Sequence, residues 1–296
     1  MKWWLKVVLA LVLVFVIAFV GIAAYLGYSI TKAETLPIEE TPAVLGLEYE
    51  DVSFPSIDEE LTLRGWYLPA TNSNRIVIMV HGGTGHRADP RFKMLDVASD
   101  LVKYGYNILM FDLRGHGESD GNRVSAGYYE KRDLLGAVDY VKSRGFEHIG
   151  VLGFSMGAST TILATAESND IDAVVADSGY ADLKDMMEPE FSKRTKFPKF
   201  FLPPLLFLVN IMYGVDFNNV KPVEVVSEIA PRPIFFIHGE LDEVVPLEHA
   251  YRLQQASQNP QNQLWVTPQA AHVRAYVMYP EEYINNVTNF FDSALK

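Results

Sequence analysis

The sequence predicts an α/β domain built on a mostly parallel, eight-stranded sheet, preceded by one apolar helix long enough to cross a bilayer. Three observations carry this. Short apolar, β-branched runs alternate with longer helical patterns along most of the chain. The two earliest runs alternate apolar and polar residues instead, as a half-buried antiparallel hairpin does. And residues 7–30 form a run of 24 without a charge.

That run (VVLALVLVFVIAFVGIAAYLGYSI) comes first. At 1.5 Å per residue, about 20 apolar residues cross a hydrocarbon core of ~30 Å. Trp3 and Trp4 precede it, and Tyr25 and Tyr28 sit near its far end, like the aromatic belts of membrane helices. The apolar stretch of a cleaved signal is typically only ~7–15 residues, so the segment reads as an uncleaved anchor. Lys2 and Lys6 lie before it, whereas Lys32 beyond it is offset by Glu34, Glu39 and Glu40. That asymmetry predicts a cytoplasmic N-terminus with the rest of the chain outside. Residues 31–43 (TKAETLPIEETPA) are acidic, carry Pro37 and Pro42, and read as a juxtamembrane linker. With no internal repeat and no second linker, residues 44–296 read as one domain.

Within it, residues 48–54 and 61–68 are the hairpin. Compact strands follow at 76–80 (IVIMV), 107–111 (NILMF), 149–152 (IGVL), 173–176 (AVVA), 234–237 (IFFI) and 264–266 (LWV). Helical patterns occupy 92–104, 132–143, 156–166, 247–255 and 281–294. Strands buried on both faces, with helices between them, imply a parallel sheet. Ligands of such sheets bind beyond the carboxyl ends of the strands.

Composition narrows the chemistry. The 25 Lys and Arg stand against 37 Asp and Glu, a net charge of −12. Without a long basic tract this excludes a nucleic-acid binder, which needs clustered cations to neutralise phosphates. The absence of Cys excludes disulfides, thiol catalysis and Cys-based metal sites. A metal reading of His81, His86 and His116 finds no HExxH or comparable spacing.

One motif points to a nucleophile. After the 149–152 strand comes Gly153-Phe154-Ser155-Met156-Gly157, a G-x-S-x-G pattern whose glycines permit a sharp strand-to-helix turn that lifts the serine hydroxyl clear of the sheet. A serine hydroxyl needs an adjacent base, itself oriented by a carboxylate. Of the seven histidines only His272 follows the last strand and precedes the final helix, as the order Ser…Asp…His requires. The 234–237 strand runs into His238-Gly239-Glu240-Leu241-Asp242-Glu243-Val244-Val245-Pro246, where Asp242 is the expected carboxylate and Glu240 and Glu243 are solvated alternatives. His238 reads as structural, and His249 as a capping or solvent-facing residue of the next helix.

These motifs resemble the serine-hydrolase branch of the α/β-hydrolase superfamily. The resemblance rests on His81-Gly82, DLRGHGES from Asp112 to Ser119, GFSMG, HGxxDxxVP from His238 to Pro246, and the late His272. It spans roughly residues 48–294. It implies an oxyanion hole formed by backbone N–H groups of Met156 and Gly83, with Thr84 as runner-up for the second donor, and no cofactor. Asp112, Arg114 and His116 match a structural turn in that pattern. The implied activity is ester hydrolysis through an acyl-enzyme, on a small-molecule or lipid-like acyl substrate. Amide or thioester cleavage, acyl transfer to another acceptor, and a catalytically silent binding module are the alternatives. Oligomeric state is left open.

The sequence departs from the pattern in two places. Gly83-Thr84-Gly85 is not the HGGG of many lipases. Residues 178–232 form an insertion where the family carries its variable cap. It holds Lys193, Arg194, Lys196 and Lys199 and then the apolar run 200–213 (FFLPPLLFLVNIMY), read as broken by Pro203-Pro204. Such a segment either packs as a simple cap or forms a lid that touches the membrane or binds an acyl chain.

Overall fold

The computed structural model describes residues 2–33, 35–57, 60–71 and 73–296, without the side chain of Arg194. Glu34 and the Arg194 side chain, both counted among the charges above, therefore lie outside the described residues.

Eight strands form one sheet in the order β1-β2-β4-β3-β5-β6-β7-β8. They are β1 (Glu50–Pro55), β2 (Thr62–Leu68), β3 (Arg75–Val80), β4 (Asn107–Phe111), β5 (His148–Phe154), β6 (Ala173–Asp177), β7 (Ile234–Gly239) and β8 (Gln263–Thr267). The β1–β2 and β2–β4 pairs are antiparallel and every later pair is parallel. The helices are α1 (Trp3–Thr31), α2 (Met94–Lys103), α3 (Glu130–Ser143), α4 (Met156–Glu167), α5 (Leu183–Thr195), α6 (Leu202–Tyr213), α7 (Pro222–Val225), α8 (Glu248–Ser257), α9 (Ala275–Met278) and α10 (Pro280–Ala294).

The continuous apolar run of β3 is explained by its place mid-sheet. Successive side chains point to opposite faces. Ile76, Ile78 and Val80 pack in the core that includes Leu134 of α3 and Ile162 of α4. Val77 and Met79 pack in the other, with Val97 of α2 and Phe291 of α10. Each fully buried side chain of this kind contributes about 1.5–3 kcal/mol, so both faces of the strand must be apolar. The same crossovers bring the carboxyl ends of β3, β5, β7 and β8 to one edge.

The insertion between β6 and β7 corrects one reading. Pro203 and Pro204 do not break the apolar run; α6 begins at Leu202 and carries both in its first turn. There a proline costs no intrahelical hydrogen bond and its fixed φ favours the helix. The helix ends at Gly214, whose φ of 68° is left-handed.

Among the described residues, α1 is the one helix long and apolar enough to cross a membrane. Its surface changes character along its length. Residues 6–18 are exposed, whereas Ala23, Leu26, Gly27 and Thr31 are buried. The buried part lies against α6. The Phe19 ring stacks on Phe201 with centroids 4.5 Å apart, and a Cβ on Gly27 would sit 2.8 Å from Val209 Cγ2. The last turn is tied to the domain by Arg123, which donates to the Tyr28 carbonyl and lies between the Tyr28 and Tyr213 rings. Beyond it, Ala33 N–H donates to Asn122 O and Pro42 is buried, so the chain touches the domain at both positions.

Candidate active site

Ser155 stands between β5 and α4 with φ 55° and ψ −118°, a strained conformation for a residue with a Cβ. The flanking glycines are sterically required. A Cβ on Gly153 would lie 2.5 Å from Gly157 O, and one on Gly157 would lie 2.2 Å from Val80 O. The turn is fixed from behind, because Ser155 N–H donates to Asp177 O at 2.8 Å.

The loops after β7 and β8 deliver the partners. His272 Nε2 is 2.8 Å from Ser155 Oγ, and its Nδ1 is 2.7 Å from Asp242 Oδ2. Asp242 Oδ1 accepts the N–H groups of Val244 and Val245 at 2.9 and 2.8 Å, and its side chain has no solvent exposure. The carboxylate is thus immobilised on one oxygen and offers the other to the imidazole. Glu240 is exposed and accepts from Gln269 N–H instead. His238 is buried beside Asp242, but its Nε2 donates to Val245 O at 2.8 Å, and burial holds its pKa below the ordinary value. Its Nε2 lies 3.4 Å from Asp242 Oδ2, well beyond the 2.7 Å at which His272 meets the same oxygen.

His249 is not the solvent-facing residue the sequence suggested. It is buried in α8, its Nδ1 accepts Ala181 N–H at 3.2 Å, and burial lowers its pKa. The insertion folds over that helix, which sequence spacing does not reveal.

The loop after β3 passes directly over the serine. A Cβ on Gly82 would meet Ser155 Cβ at 3.4 Å, and one on Gly83 would meet Met156 Sδ at 3.2 Å. Among the described residues, the N–H groups of Gly83, Thr84 and Met156 have no protein acceptor. Their orientation is set by two histidines. His81 Nδ1 donates to Gly82 O at 2.7 Å while its Nε2 accepts Leu113 N–H, and burial pushes its pKa well down. His116 Nε2 reaches Gly83 O at 3.0 Å. In a trans peptide the C=O and N–H point oppositely. Pinning the Gly82 and Gly83 carbonyls therefore turns the N–H groups of Gly83 and Thr84 the other way.

Neither role was assigned to these histidines from sequence, although both stand in the motifs singled out there. The rest of the Asp112–Ser119 turn is a buried ionic scaffold. Asp112 pairs with Arg87, and Arg114 forms a bidentate pair with Asp133. Phe92 forms one wall, edge-on to His272. No group of three or more His, Asp or Glu side chains converges as metal ligands would among the described residues.

Behind His272 lies a further carboxyl. Asp177, at the end of β6, accepts from Ser178 Oγ and from the Tyr283 hydroxyl. Burial pushes its pKa up to about 7, against those hydrogen bonds and the nearby His272. Ser178 Oγ in turn accepts the N–H of Val273, the neighbour of His272. Both Ser178 and Val273 have positive φ.

Comparison with known proteins agrees with this architecture. The family described as serine aminopeptidase, S33, matches residues 71–219. The crystal structure of the Pyrococcus furiosus esterase Pf2001 superposes with a TM-score of 0.76 at 30% identity, covering 90% of this chain and 99% of that one. A Bacillus subtilis protein, YqkD, is 28% identical over 236 residues, 78% of this chain and 75% of its own length. The lysophosphatidylserine lipase ABHD12 of Macaca fascicularis is 29% identical over 200 residues, 64% of this chain but only 47% of its own length. With its sheet order, its serine elbow and these relatives, the chain is a hydrolase of the α/β-hydrolase superfamily and belongs to the serine aminopeptidase, S33, family.

Proposed function

We propose that the chain is a membrane-anchored serine hydrolase that cleaves carboxylic esters through an acyl-enzyme. The observation that carries this is the unbroken relay from Ser155 Oγ through His272 to Asp242, at 2.8 and 2.7 Å. In the reaction, Ser155 Oγ attacks the ester carbonyl as His272 Nε2 takes its proton. Asp242 holds the ring in the tautomer that leaves Nε2 free and stabilises the imidazolium. The oxyanion is received by the N–H groups of Met156 and Gly83, donors already turned away from protein acceptors. The proton on Nε2 passes to the leaving alcohol. Water, deprotonated by the same nitrogen, then releases the acid and restores Ser155.

The choice of an ester is supported by likeness to the Pyrococcus esterase, which is matched over nearly its whole length. The family description favours a second reading, removal of an N-terminal amino acid by the same relay. Fluorophosphonate labelling, followed by turnover of ester, thioester and aminoacyl-anilide panels, tests both. Ester turnover lost in Ser155→Ala supports the first reading. Anilide turnover without ester turnover replaces it with the second.

Anchoring is supported by the length of exposed helix. Residues 6–18 of α1 are exposed, and the helix as a whole, 29 residues, exceeds the about 20 that match a hydrocarbon core. In this reading residues 1–30 are the anchor, 31–43 the connection and 44–296 the hydrolase domain. Lys2 and Lys6 favour a cytoplasmic N-terminus with that domain outside.

A further inference from the structure

We infer that the cap is a second membrane element: α6 lies beside α1 with its N-terminal end in the leaflet nearest the domain, so the hydrolase is held against the lipid surface. This rests on the reading of α1 as a membrane anchor and extends it to a part of the fold remote in sequence.

The argument begins with how the two helices pack. Phe19 stacks on both Phe200 and Phe201, and eight residues later Gly27 abuts Val209, eight residues after Phe201. The helices therefore run side by side in the same direction. The depth of α1 fixes that of α6. If Trp3 marks one edge of the hydrocarbon, the other edge falls about 20 residues on, near Ile22. Phe19, and with it Phe200 and Phe201, then lies roughly 5 Å inside that edge at 1.5 Å per residue. Phe207, level with Tyr25, then falls about 5 Å outside that edge and Ile211 about 10 Å outside, both at the depth of the headgroups.

The exposed residues of α6 fit those levels. Phe200, in the turn leading into α6, and Phe207 are each 64% exposed and Ile211 63%, while the other face of α6 buries Leu202, Leu205, Leu206 and Val209. Large apolar side chains are not left in water in such a cluster without a partner. The patch is continuous with the exposed surface of α1, so one occupant covers both. Charge agrees: Lys196 and Lys199, at the entry to α6, are exposed and have no carboxylate partner among the described residues. On a chain of net charge −12, a local cationic rim at this level suits anionic headgroups, and its long side chains can reach them from a deeper backbone.

The absence of Cys allows a direct test with the full chain in vesicles of phosphatidylcholine and phosphatidylglycerol. Single cysteines at Phe15, Phe200, Phe207 and Tyr104 carry a nitroxide, and collisions with oxygen and with a water-soluble nickel chelate report depth. Labels at Phe15 and Phe200 are expected in lipid, with Phe207 shallower, at headgroup depth, and Tyr104 in water. A lipid-exposed label at Phe15 with an aqueous label at Phe200 overturns the inference and leaves the anchor standing. An aqueous label at Phe15 removes the anchor, and the inference with it.

Discussion

His81 Nδ1 lies 2.7 Å from the carbonyl oxygen of Gly82, and this contact sets the direction in which the N–H of Gly83 points. His81 is therefore a positioning residue for the proposed oxyanion hole. His81→Leu is expected to lower kcat by about 10–100-fold, short of the 10²–10³ that follows loss of a donor itself. KM and fluorophosphonate labelling of Ser155 should change little. His81→Asn, which restores an N–H near the Nδ1 position, should recover part of the rate. His116→Gln is expected to cost less than about threefold. If the His116 variant loses kcat and His81→Leu does not, Thr84 takes the donor role from Gly83.

The relay makes a second prediction with a different signature. Ser155→Ala should abolish probe labelling and reduce kcat/KM by about 10⁴-fold or more, with thermal stability maintained. Asp242→Asn should cost about 10³–10⁴, because the amide can present an N–H where the imidazole needs an acceptor. A variant with full turnover at either position would remove the mechanism.

Most of this geometry was legible in the sequence because it depends on local chemistry. GFSMG specifies a turn that only glycines can close, and the strand order places the loops holding Asp242 and His272 beside it. Among the features not legible, two are long-range contacts and one is a local helix start. His249 is buried by the insertion, whose fold over α8 has no periodic signature. Pro203-Pro204 interrupts a helix in mid-run but starts one at its first turn, and only the observed start at Leu202 distinguishes the two. The seam between Phe19 and Phe201 joins segments about 180 residues apart, and both read simply as apolar.

Asp177 gives a prediction in pH. Its folded pKa is raised to about 7 from an ordinary 3.8, mainly by burial. Between these values the folded chain keeps a proton that the unfolded chain releases. Its contribution to stability is therefore greatest at low pH and is lost as pH rises through about 7. Asp177→Asn cannot ionise and lacks this dependence. Relative to wild type, the variant should gain stability from about pH 4 to 7, by at most ~1.4 kcal/mol per pH unit, and no more above that. Urea midpoints at pH 4.5, 6 and 8 check it; parallel pH profiles for the two proteins would refute the assignment.

The seam between α1 and α6 implies that α1 stabilises the domain. Ala23 and Leu26 are buried there, and removing them would uncover Leu205 and Val209 of α6, now fully enclosed. A chain beginning at residue 22 lacks the exposed part of α1 yet keeps these contacts, whereas one beginning at residue 44 loses them. Burial of two or three such side chains contributes several kcal/mol, at about 1.5–3 kcal/mol each. For a domain of this size each kcal/mol moves Tm by about 2–4 °C. The shorter chain should therefore melt several degrees lower in the same detergent. Gly27→Leu in the full chain tests the seam without truncation, since a Cβ there already meets Val209 Cγ2 at 2.8 Å. It should lower Tm while kcat is unchanged. Equal melting of the two truncated chains, together with a Gly27→Leu variant as stable as wild type, would show that α1 only tethers the domain.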